Sequence, residues 1–81
     1  MSSKPRTNEE CLRLKALGQA IRDVRKKQGV SQEALAHIAG IDRSHMGKIE
    51  RGERNVTALN LLRVAKALGV QPSEIFSKAA L

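Results

Sequence analysis

The side chains best placed to do chemistry are Arg43, Ser44 and Lys48. They stand on a short stretch where Met46 and Ile49 turn inward while Arg43, Ser44, Gly47, Lys48 and Arg51 turn outward at helical spacing. The chemistry they offer is recognition by hydrogen bonding. An arginine's planar fork donates two parallel N–H bonds, which fits the O6 and N7 edge of guanine. Near the N-terminal end of a helix lying in a major groove, one such contact discriminates by about 1–3 kcal/mol. Catalytic sets are missing from the sequence: there is no Ser/His/Asp group, no Gly-rich phosphate loop and no pair of carboxylates spaced for acid–base work. Cys11, His37 and His45 are too few and too scattered to ligate a metal. The expectation is a chain with no metal, no cofactor and no enzyme activity.

A reading face needs elements to hold it, and the segment SQEALAHIAGIDRSHMGKIERG, Ser31 to Gly52, supplies them. Ser31 caps a helix with Leu35 and Ala39 facing inward, Gly40 closes it, Ile41 fills the turn, and Asp42 caps the next helix, about Arg43 to Arg51. Ala36 is small where the two helices cross, and Gly40 can take the positive φ the turn requires. This is the sequence form of a helix-turn-helix. Before it, Leu14, Leu17, Ile21 and Val24 make an apolar stripe along a helix from about Glu9 to Gln28. After it, Thr57 caps a fourth helix with Leu61, Leu62, Ala65 and Leu68 as its buried positions. Pro72 opens a short fifth helix containing Ile75 and Phe76. The expected fold is all-α, with five helices. Residues 1–8 are expected to be a basic N-terminal arm, either a solvated tail or a segment that lies along phosphates or enters a minor groove, and 9–81 a single domain.

Charge points the same way. The 81 residues carry 15 basic and 8 acidic side chains, a net charge of +7, which favours a polyanionic partner. Residues 1–30 hold eight basic and three acidic side chains, whereas 31–54 hold four of each. Non-specific attraction therefore comes mainly from the flanks. One aromatic residue, Phe76, leaves the core to aliphatic side chains. A single cysteine cannot form an internal disulfide, and a reducing cytoplasm is the expected compartment. Neither a signal peptide nor an apolar run of about 20 residues is visible, so no membrane association is expected. The Asn55-Val56-Thr57 sequon reads as chance.

From IRDVRKKQGVSQEALAHIAGI, IERGER and LLRVAKALGVQPSEIF, the chain resembles the Cro/repressor-type (xenobiotic-response-element type) helix-turn-helix family over about Leu17 to Phe76. The resemblance implies a compact five-helix, lambda-repressor-like domain that regulates transcription as a homodimer on palindromic double-stranded DNA. The segment DRSHMGKIERGERNVT looks most like the controller proteins of restriction–modification systems. Ser44 and Lys48 match family positions that touch bases. Gln32 matches one that bonds a phosphate or braces a recognition-helix side chain. Arg25 and Glu50 match a pair that supports the recognition helix, with Ala36 and Gly40 as further structural support. Arg51, Arg54 and Asn55 flank that helix as phosphate contacts. His45 fits either a phosphate contact or a shield for the apolar side of its helix. Gly47 costs about 1 kcal/mol within a helix, as a tolerated defect or to let the DNA backbone approach. By family analogy the dimer face involves Val70, Ile75, Phe76 and Leu81, although Ile75 and Phe76 fit the core equally well. No small-molecule ligand is expected.

Three alternatives stay open on these residues. One is an antitoxin-type, protein-binding antidote that also represses its own operon, another a phage or chromosomal repressor. The last is a non-specific nucleic-acid or membrane-surface binder living on the +7 charge, for which affinity would fall steeply with salt and ignore DNA sequence.

Overall fold

Every helix starts where a side chain or backbone device takes up free N–H groups, and these devices set the boundaries. The computed structural model describes residues 5–81, which form α1 (Asn8–Lys27), α2 (Gln32–Ala39), α3 (Arg43–Glu50), α4 (Ala58–Leu68) and α5 (Pro72–Lys78). Ser31, Asp42 and Thr57 accept N–H bonds from Ala34, His45 and Asn60, as their types foretold. α1 starts one residue earlier than the sequence suggested. Thr7 and Glu10 form a reciprocal capping box there, Glu10 N to Thr7 Oγ1 at 3.1 Å and Thr7 N to Glu10 Oε1 at 2.9 Å. Thr7 and Asn8, read as part of the arm, therefore belong to the helix start. Positions 1–4 of that arm lie outside the described residues.

Gly40 adopts φ 71°, and the N–H of Ile41 returns to the Ala36 carbonyl at 2.9 Å. A left-handed residue is what lets the chain leave α2 and enter α3 within three residues. α2 packs on α3 and α4, while α1 crosses α3 and α5. Ile21, Leu35, Met46, Ile49, Val64 and Ile75 are the largest side chains sealed in the shared core.

Two assignments change. Leu62, expected inside, is 53% exposed, and fully buried Val64 takes its place. Positions 61, 64, 65 and 68 form the i, i+3, i+4, i+7 face, and Leu62 lies about 100° around the helix from Leu61. Ile75, offered as a dimer contact or a core residue, is fully buried in its own domain and has no surface to give a partner. Phe76 is 38% exposed, Leu81 exposed and Val70 half-buried.

Gly18 escaped the sequence reading. It faces the end of α3, where a Cβ would overlap the backbone carbonyls of Ile49 and Glu50. Its missing side chain allows α1 to press directly onto α3.

Candidate nucleic-acid interface

α3 is short, so its aim depends on what grips it. Met46 and Ile49 plug it into the core. Its far end is held by a buried ion pair: Arg25 Nε and Nη2 donate to Glu50 Oε2 and Oε1 at 2.7 and 2.9 Å. The remaining arms of the network are Arg25 Nη1 to the Val30 carbonyl at 2.9 Å and Gln32 Nε2 to Glu50 Oε1 at 3.0 Å. Among the described residues no buried side-chain polar atom lacks a partner. A fully bonded carboxylate joins α1, α2 and α3, and so sets the angle at which α3 is presented. Arg25 and Glu50 are thus in contact, and the side chain of Gln32 bonds Glu50 as well.

The opposite face of α3 carries the outward polar side chains. Gln32, Arg43, Ser44, Gly47 and Arg51 line one shallow depression of about 330 Å³. Gly47 forms part of its lining. Helical side chains lean toward the N-terminus, so Arg51 lies back over position 47, its Nη1 3.0 Å from where a Cβ would stand. Lys48 is half-buried and does not line this depression. His45 is half-buried as well, whereas Arg54 and Asn55 are exposed in the connector after α3. Asn55 borders a separate depression with Arg6, Glu10, Arg13 and Leu14. Arg43 also borders a broader hollow with Ser31, Glu33, Ala34, Ala36, His37 and Ile41.

Two contacts went unread in the sequence. Arg51 Nε donates to Glu53 Oε2 at 2.6 Å on the surface, and Arg6 Nη2 donates to the Glu53 carbonyl at 3.2 Å. The bond to Arg51 holds the Glu53 carboxyl below its ordinary value of 4.5, and it raises the Arg51 guanidinium in turn. Spacing of two residues across a helix end was the available signal for the first contact. Nothing local signals the second, which joins positions 47 residues apart.

The balanced charge of residues 31–54 is thus separated in space. Glu50 is buried and Asp42 caps α3, so the outward face of α3 presents the donors of Arg43, Ser44 and Arg51, with Glu53 bonded to Arg51 and Glu33 beside Arg43 in the neighbouring hollow. Two helices joined by a glycine turn, the second offering that face, define a helix-turn-helix, the reading unit of DNA-binding transcription regulators. The chain belongs to the helix-turn-helix family, its match spanning residues 21–75. It is similar to the control protein C.BamHI of Bacillus amyloliquefaciens, with 44% identity over 72% of this chain and 73% of that one. Among solved structures, the restriction–modification controller protein C.AhdI of Aeromonas hydrophila superposes with a TM-score of 0.77 at 48% identity, covering 78% and 96% of the two chains. The controller protein C.Esp1396I, solved as a tetramer in complex with its natural 35 base-pair operator, gives 0.77 at 31% identity over 84% and 90%. Regulators of this family are not an enzyme class. No helix among the described residues is long and apolar enough to cross a membrane.

Proposed function

We propose that this chain is a cytoplasmic, non-enzymatic transcription regulator that binds a palindromic DNA operator as a homodimer, in the manner of a restriction–modification controller. One observation carries the reading: the outward face of α3 clusters Arg43, Ser44 and Arg51 around Gly47, while the inward face is locked to α1 through Glu50. Arg43, in the first turn, is placed to take the O6 and N7 edge of a guanine, with Ser44 and Lys48 as further base contacts. His45, Arg54 and Asn55 supply phosphate contacts. The N-terminal end of α2 at Gln32 adds a dipole suited to phosphate. Arg25, Glu50, Ala36 and Gly40 act by positioning. Lys4 and Arg6 add basic charge to the segment that precedes the cap of α1 at Thr7.

Val70, Phe76 and Leu81 are the apolar side chains proposed for the dimer face. A two-fold pair of α3 helices reaches half-sites about one helical turn apart. No metal, cofactor or small-molecule ligand enters this scheme, and occupancy of the operator follows protein concentration.

Selection of bound sequences from random DNA tests the proposal. The expected result is a two-fold symmetric site. A flat profile, with affinity governed by salt alone, would reduce the protein to a non-specific binder.

A further inference from the structure

From its place flanking α3, the sequence offers Arg51 as a phosphate contact. Resting on the assignment of α3 as a DNA-reading helix, we propose that Arg51 is a second base-reading side chain, aimed by Glu53 and given room by Gly47. Three observations carry this. Glu53 engages one edge of the guanidinium, Nε at 2.6 Å and Nη2 at 3.4 Å. That leaves the other edge, Nη1 with the second N–H of Nη2, as a free two-pronged donor. The side chain also runs back over Gly47, with Nη1 3.0 Å and Cζ 3.8 Å from the position of an added Cβ, so a residue with a side chain there would contest its place. Finally, Arg51 lines the same depression as Arg43, Ser44 and Gln32, which puts its free edge with the base-reading set instead of on the flank.

The chemistry selects the target. A phosphate needs a positive charge within reach and tolerates a mobile side chain. A planar fork turned by a carboxylate suits any fixed pair of acceptors, phosphate oxygens included, and its place beside Arg43 and Ser44 in the same depression is what points it to the O6 and N7 of guanine. Gln32 adds a constraint, because its Nε2 is committed to Glu50. Its Oε1, 3.3 Å from the Cβ position at Gly47, is the acceptor it turns toward the depression. That oxygen complements an exocyclic amine, such as the N4 of the cytosine paired with that guanine.

The test compares wild type with Arg51→Lys and Glu53→Ala, using random-sequence selection followed by titration of the selected site and its single-base-pair variants at several salt concentrations. Lysine keeps the charge but loses the fork. Arg51→Lys should lower the preference for G·C at one position per half-site by at least about fivefold with an unchanged salt slope. Glu53→Ala removes a negative charge near the DNA, so affinity for unrelated sequences should rise while the preference at that same position falls. Both sites are exposed, and unchanged melting temperatures will show that the variants are folded. A wild-type preference profile retained by Arg51→Lys would return Arg51 to the phosphate class and overturn the proposal. So would a Glu53→Ala variant that keeps full preference at that position. A flat profile from wild type itself would defeat the underlying DNA reading, a distinct result.

Discussion

Adjacent residues of this chain, Glu50 and Arg51, each belong to an arginine–glutamate pair, and the two pairs do opposite work. Arg25–Glu50 is sealed, with side-chain exposures of 10% and 2%, while Arg51–Glu53 stands in solvent at 56% and 53%. Their shortest distances are nearly equal, 2.7 and 2.6 Å. Distance therefore says little about the consequence. In the low-dielectric interior, loss of one partner leaves an unpaid desolvation cost on the other. On the surface, water and salt replace either partner at little cost. The buried pair is a fixed joint between three helices, and the exposed pair is an orientation that a ligand can use or displace.

The strongest way to break this comparison is Glu50→Gln. It leaves the Arg25 charge buried without its carboxylate and should cost about 3–5 kcal/mol. In a domain of this size that lowers the melting temperature by roughly 12 °C or more, as followed by thermal circular dichroism. An unchanged melting temperature would remove the joint from the account. The double replacement Arg25→Met with Glu50→Leu sharpens the point, since it takes away both charges together. Its loss should be clearly smaller than that of Glu50→Gln alone, and a loss equal to the single change would mean that shape, not charge, is at stake.

The smallest effect belongs to the surface pair. Because the Glu53 carboxyl is lowered by its bond to Arg51, the pair is fully formed above the ordinary value of 4.5. It is lost only as pH falls through the lower folded value. From pH 8 to pH 5 the Arg51 Nε–H resonance should stay put, then move on further acidification. Raising salt at neutral pH should perturb that resonance while leaving Arg25 unmoved. Equal sensitivity of the two arginines to salt would erase the contrast.

Legibility followed the range of the interactions. Caps and stops repeat over three to four residues, so Ser31, Asp42 and Thr57 were readable as helix starts and Gly40 as a turn. The inward and outward sets of α3 follow from its period, and the structure keeps Met46 and Ile49 inside with Arg43 and Ser44 outside. Leu62 failed because a run of apolar residues on α4 allows more than one inward face, and the packing of α1, α2 and α5 selects Val64. Gly18 failed because its role is defined by carbonyls about 30 positions away in the chain. Gly47 reads locally as a defect or an approach point for DNA, and only the fold lays Arg51 across it.

By itself, the sequence determined an all-α chain with a helix-turn-helix at its centre, a basic flank and a narrow set of outward polar side chains. Those properties are periodic or additive, and local physics is enough to read them. The resemblance already implied that Glu50 pairs with Arg25, but tertiary structure alone decided that Glu53 stays on the surface beside Arg51. It also decided that Gly18 would bring α1 against α3. Both outcomes depend on which distant groups meet once the core closes, because burial turns an ion pair into a joint and exposure leaves it open to water, salt or a ligand.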